Sequence, residues 1–191
     1  MTVTAFAFAT LSLVACGGGG GSGDDGLSTA HEGVYTVSSW NGNMTSCDGV
    51  GVPLDPPAST ARLYIKSESV LGTSFINVVP CDDEASCQAD AESSTLMTSL
   101  LGWTFSSGSD ADGWTGTGGE YATGSGDTCS GVSSVATMKL TGTTAHIENR
   151  QSQVQWAKPA GGCTIDDLHA HAAGAACTSL ITVDGTFATD L

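Results

Sequence analysis

Seven cysteines, at positions 16, 47, 81, 87, 129, 163 and 177, constrain this chain more than any other feature of its sequence. No two of them have the C-x-x-C spacing on which structural zinc sites draw, so disulfides are the expected use of the sulfurs. Disulfides persist outside the reducing cytoplasm, which puts the folded part in an oxidising compartment. An odd count leaves one sulfur for some other role. Cross-links also suit the rest of the composition. The 191 residues are enough for one ordinary domain, but aromatic residues make up only 6% and glycine supplies 26 positions, so the apolar payload of the core is modest.

Charge narrows the range of partners. Twenty acidic residues stand against five basic ones (Arg62, Lys66, Lys139, Arg150 and Lys158), a net charge of −15. A phosphate backbone needs a cationic footprint to displace its counterions, so nucleic acid is excluded as a partner. A polybasic lipid-binding surface is excluded on the same ground. No uninterrupted apolar run reaches the ~18 residues that a membrane-spanning helix needs.

The first fifteen residues are small, apolar and uncharged, as in the core of a secretory signal. They end in Leu13-Val14-Ala15-Cys16, which resembles the lipobox of bacterial lipoproteins. The resemblance implies a signal peptide over 1–15, cleaved once Cys16 carries a diacylglyceryl group. Membrane attachment would then run through that lipid. Gly17 follows the cysteine, and by resemblance to enteric lipoproteins this implies outer-membrane sorting within the cell envelope. Residues 16–30 begin with a glycine run and bury nothing, so they read as a flexible tether ahead of a single domain over 31–191.

With Cys16 given to the lipid, six cysteines remain for three bridges. Spacing alone favours the short loops, Cys81–Cys87 and Cys163–Cys177, which leaves Cys47 to pair with Cys129. The folded part alternates apolar and polar residues between glycine, asparagine and serine turns, the pattern of about eight antiparallel strands. Val154 and Trp156 lie on the opposite parity from Ala145 and Ile147, so one strand is expected to bulge between Asn149 and Ser152. Asn41-Gly42-Asn43 reads as a turn. Thr164 caps a short helix whose first turn holds Asp166 and Asp167, and a second helix runs from Asp82 to about Ala91. The fold class is therefore mainly β, an antiparallel barrel of about eight strands with a sandwich as the alternative, and with one or two short disulfide-pinned helices.

Gly33-Val34-Tyr35 opening the first strand, with an Asn-Gly turn following, resembles the Gly-x-Trp start of lipocalins, although Tyr35 stands where that family has tryptophan. The resemblance implies a barrel with an apolar cavity. Tyr35, Leu63, Phe75, Met138 and Ile147 are the candidate lining residues.

Chemistry is thinly signalled. Asp110-Ala111-Asp112-Gly113 resembles the centre of a calcium loop, but the acidic residue that should close the loop falls one position late, at Glu120. His169 and His171 lie on the capped helix, where a separation of two turns them ~200° apart, so they do not chelate one ion. No nucleophile motif and no phosphate loop is present, and nothing calls for a cofactor. Gln151, Gln153 and Gln155 form an alternating amide stripe that either faces water or lines a polar pocket. The expected function is a non-catalytic envelope binding module for a small apolar or amphipathic ligand. The alternative is an interaction lipoprotein contacting protein, polysaccharide or calcium. A carboxylate-based hydrolase ranks last.

Overall fold

A computed structural model describes residues 27–44, 46–48, 51–56, 61–70, 73–93 and 102–191. Cys16 and most of the glycine tether lie outside the described residues. The described strands are β1 (Gly33–Met44), β2 (Val52–Leu54), β3 (Arg62–Val70), β4 (Thr73–Cys81), β5 (Trp103–Ser109), β6 (Gly113–Gly118), β7 (Tyr121–Ser125), β8 (Thr128–Thr141), β9 (Thr144–Ala157) and β10 (Ser179–Thr189). Helix α1 (Glu84–Ser93) follows β4, and α2 (Ile165–Ala172) follows β9.

Eight of these strands close a barrel. The order runs β1-β3-β4-β5-β6-β8-β9-β10, and β10 pairs back onto β1, so each wall strand lies beside its chain neighbours in an antiparallel meander. Closure removes the free edges an open sheet would expose. β2 and β7 are additions that pair with the far ends of β1 and β8.

Inward residues from all eight strands meet in one cluster that includes Tyr35, Leu63, Ile76, Phe105, Trp114, Met138, Ile147 and Val183. A register shift keeps apolar side chains of β1 inside. It inserts Ser38 between Val37 and Ser39, so Tyr35 and Val37 point inward below it and Trp40 above it. One end of the barrel is plugged. Leu27 is buried in the core cluster, and a 3-10 turn over Thr29–His31 sits above it. The Tyr35 hydroxyl donates to the His31 carbonyl at 2.9 Å. Residues 27–30, read from the sequence as tether, thus pack with the folded domain, whose boundary moves from His31 to Leu27.

The two helices lie on the outer wall and explain apolar residues that face away from the core. Val34, Tyr64, Val79 and Cys81 point outward from β1, β3 and β4 and are buried against Cys87 and Ala91 of α1. Asp83 caps that helix, accepting the Ser86 backbone N–H at 2.8 Å. That bond, with the Ser86 hydroxyl, holds the Asp83 carboxyl below the usual carboxylate range. Helix α2 begins at Thr164, whose hydroxyl accepts the Asp167 N–H as the sequence leads one to expect. It lays Leu168 on Cys129 and Trp156.

Trp156 corrects the reading of β9. The register between β8 and β9 is unbroken from Thr128↔Ala157 to Thr141↔Thr144, with no bulge at Asn149–Ser152. The hairpin runs straight on past the barrel, and its cover changes. Ala145 and Ile147 are buried by the lumen, whereas Val154 and Trp156 are buried on the outer side beneath α2. Asn41-Gly42-Asn43 is likewise no turn. It continues β1, pairing with β10 on one side, while Gly42 and Asn43 pair with β2 on the other.

Disulfides join Cys81 to Cys87, Cys47 to Cys177 and Cys129 to Cys163. All six expected cysteines are bridged, and the local pair is as expected. The other two pairings exchange partners. Cys47 follows the end of β1 and Cys177 precedes β10, and Met44↔Ser179 brings those two ends together. Cys163 lies at the start of α2, over Cys129. Tertiary adjacency, not loop length, decides both bridges: the β1–β10 pairing for one and the docking of α2 on β8 and β9 for the other.

Candidate functional site

The expected cavity lining divides between core and wall. Tyr35, Leu63, Met138 and Ile147 all face inward and are essentially inaccessible, packed among Trp103, Phe105 and Trp114. They fill the lumen rather than line a space within it. Burial, followed by the Asp110 charge, pushes the Tyr35 hydroxyl up to about 12. Phe75 lies on the opposite parity of β4 from Ile76 and Val78, half-buried and outside the core cluster. Apolar residues on both faces of that strand hid the parity from the sequence, since the outer face near Val79 is covered by α1.

The two carboxylates of the weak calcium-loop resemblance, Asp110 and Asp112, have structural work. Asp110 accepts the Ser28 N–H and the Trp114 indole N–H, each at 3.0 Å, and so ties the plug to the β5–β6 turn. Asp112 accepts the Ser109 hydroxyl at 3.0 Å. Among the described residues no group of three or more potential metal ligands converges. Glu120, on the linker before β7, accepts the Ser134 N–H at 2.8 Å and meets His169 of α2 at 3.2 Å. His171 instead stacks on Trp156 with ring centroids 5.4 Å apart. The two helix histidines diverge, as their spacing requires.

Ser39, Asp184 and His146 adjoin on the outer wall of β1, β10 and β9, but in the wrong order for a nucleophile. Asp184 sits in the middle, accepting from the Ser39 hydroxyl on one oxygen and meeting His146 Nδ1 at 2.6 Å on the other. His146 is therefore not placed to take the Ser39 proton. The Ser39 hydrogen bond, then that of His146, holds the Asp184 carboxyl below its ordinary range.

What remains is the end of the barrel opposite the plug. The straight register of β9 settles the glutamine stripe, because Gln151, Gln153 and Gln155 share the lumen parity of Ala145, Ile147 and Asn149. Below them the inner face is aromatic. Trp40 and Trp103 approach with ring centroids 5.8 Å apart, and Trp103 lies over Gly118, where any added side chain would collide with the indole. Between floor and stripe is a polar level. The Ser134 hydroxyl accepts the Gly118 N–H at 2.7 Å, and the Asn149 amide donates to the Gly118 carbonyl at 3.2 Å. Trp40, Ile181 and Gln151 are half-buried, while Met44, Gln153 and Gln155 are exposed, so this face opens to solvent. The mouth is thus amphipathic, aromatic at its base and rich in amides and hydroxyls along the β8–β9 side.

A separate groove of about 500 Å³ lies outside the barrel wall, lined by Glu32, Lys66, Gln88, Ala91, Glu92 and Leu191. Lys66 donates to the Ala91 carbonyl and Glu32 accepts the Ser67 N–H, so its two central charges already hold α1 and the N-terminal segment in place.

Fold and mouth together define a closed eight-stranded up-and-down barrel, plugged at one end and amphipathic at the other. Compared with protein-family models, curated proteins and solved structures, the chain matches none. Among the described residues no helix is long and apolar enough to cross a membrane.

Proposed function

We propose that this chain is a non-catalytic binding module of the cell envelope, held to the outer membrane by a lipidated Cys16, that takes a small amphipathic molecule at the open mouth of its barrel. The observation that carries the reading is the unbroken β9 register, which sets the glutamine stripe above the Trp40–Trp103 pair. Small-molecule sites join an apolar surface to a few placed polar groups, and barrel mouths are a favoured position for them. The filled lumen moves the site outward from the cavity that the sequence suggests.

Two experiments test this. Titration with N-phenyl-1-naphthylamine, an apolar fluorescent probe, is expected to give a saturable fluorescence rise that Ile181→Glu abolishes. A linear, non-saturating response overturns the mouth as a site. Cys16→Ser is expected to release the protein from the membrane fraction, and unchanged membrane retention overturns the lipid anchor.

The outer groove favours a second reading, in which α1 and the adjoining wall contact another envelope component. Under that reading Gln88→Arg at the groove weakens the contact and leaves probe binding at the mouth unchanged.

A further inference from the structure

The polar level of the mouth holds an unusual concentration of unmet hydrogen-bonding capacity. Asn149 is 2% exposed, and its Oδ1 has no partner. The amide orientation is fixed by chemistry, because the Gly118 carbonyl only accepts and the nitrogen must face it. The acceptor oxygen is therefore the orphan. Ser179 Oγ is also buried and unpartnered. Ser179 pairs with Gln151 and Ile181 pairs with Asn149, so Ser179 and Asn149 are diagonal neighbours on one face of adjacent strands. Buried polar groups are nearly always satisfied, and two orphans side by side mark a place where a donor is missing.

We infer that the mouth selects an uncharged polyol head group, a sugar or glycerol unit, on an apolar tail. The inference rests on the proposal above that the mouth binds an amphiphile. One ligand hydroxyl donates to Asn149 Oδ1 and a neighbouring one exchanges a hydrogen bond with Ser179 Oγ, with Gln151 beside them. The tail lies against Trp40 and Ile181. Charge argues the same way. Glu148 and Arg150 carry the charge on this stretch of β9, but they lie on the outer parity and pair with each other, leaving the inner parity of Asn149, Gln151, Ser179 and Ser134 uncharged. A charged head would have to shed water there, and the nearby carboxylate of Glu120 is already engaged by the Ser134 N–H and His169. The net charge of −15 opposes an anion further.

The test is tryptophan quenching on the mature protein by three amphiphiles of equal tail, each below its micellar concentration: octyl glucoside, octyltrimethylammonium and octyl sulfate. The glucoside is expected to bind at least about tenfold more tightly than either ion, the discrimination one regained hydrogen bond supplies. The cation is the stringent comparison, since the field of the whole protein favours it. Asn149→Leu is expected to level the series by weakening the glucoside alone. Ser179→Ala, a smaller change, is expected to act in the same direction and serves if Asn149→Leu does not fold. Equal affinity for all three heads, or a preference for either ion, overturns the head-group inference while leaving the mouth as a site. If none of the three binds saturably, the mouth reading itself falls, and this inference with it.

Discussion

Replacing the cysteines pair by pair with serine is expected to rank the three bridges by the loop each closes. In the chain-entropy account a cross-link stabilises by restricting the unfolded chain, and the effect grows with the logarithm of loop length. Sequence separations are 130 for Cys47–Cys177, 34 for Cys129–Cys163 and 6 for Cys81–Cys87. The corresponding losses are about 5, about 4 and about 2 kcal/mol. For a domain of this size each kcal/mol moves the melting temperature by about 2–4 °C. The Cys47/Cys177 double variant should therefore melt roughly 10–20 °C lower, and the Cys81/Cys87 variant about half as far or less. Differential scanning calorimetry measures the order, and non-reducing peptide maps establish the links directly. The pairing that spacing favours gives a different pattern, with Cys163→Ser and Cys177→Ser as a matched pair that frees no other thiol and costs about 3 kcal/mol. A map showing Cys163 joined to Cys177, or a Cys47/Cys177 variant no less stable than the Cys81/Cys87 one, refutes the reasoning.

Leu168→Ala, which empties the fully buried contact of α2 with Cys129 and Trp156, should cost about 2–5 kcal/mol in urea unfolding. Ser39 and His146 hold Asp184 low, so its stabilisation is present above the ordinary carboxylate range and is lost as pH falls through its folded value. Asp184→Asn should flatten the urea midpoint across that acid limb, and an unchanged slope counts against the role. For Tyr35 the sign reverses. With a folded value of about 12, its stabilisation is complete below the ordinary tyrosine value of 10.0 and fades as pH rises towards about 12. An ultraviolet titration should show a late tyrosinate step that Tyr35→Phe removes. Gly131→Ala should destabilise the hairpin, because the new methyl would press on the Tyr121 carbonyl and the Leu168 side chain.

Local features were legible in the sequence because their causes are local. Thr164 with Asp167, the six-residue separation of Cys81 and Cys87, and the alternation of Ala136, Met138 and Leu140 all act within a few residues. The antiparallel strands followed from the alternation, whereas the preference for a barrel over a sandwich came from the lipocalin resemblance. The misreadings share one physical origin. Parity tells which residues are on the same side of a strand, but not what covers that side. Trp156 and Val154 looked like a register slip because an apolar face was taken to mean the lumen, when α2 supplies the cover. Phe75 looked inward for the same reason, because cover by α1 leaves β4 apolar on both faces. Gln151, Gln153 and Gln155 could face either way until the straight register of β9 fixed them. Ser38 gave no warning of the insertion that turns Trp40 inward, because a serine in a strand is unremarkable.

The seam of the barrel joins its first wall strand to its last. β1 finds ten partners in β10, 135 to 155 residues further along the chain, and Cys47–Cys177 rivets the same seam. Contacts this distant form late, after the loop-closure entropy of almost the whole domain has been met. During folding, then, the meander from Gly33 to Ala157 waits as an unsealed ribbon until the final strand arrives, and oxidation of the riveting pair cannot precede that moment. An N-terminal anchor set while the ribbon is still open would hold the unfinished domain at its destination, where the last strand arrives and the wall shuts.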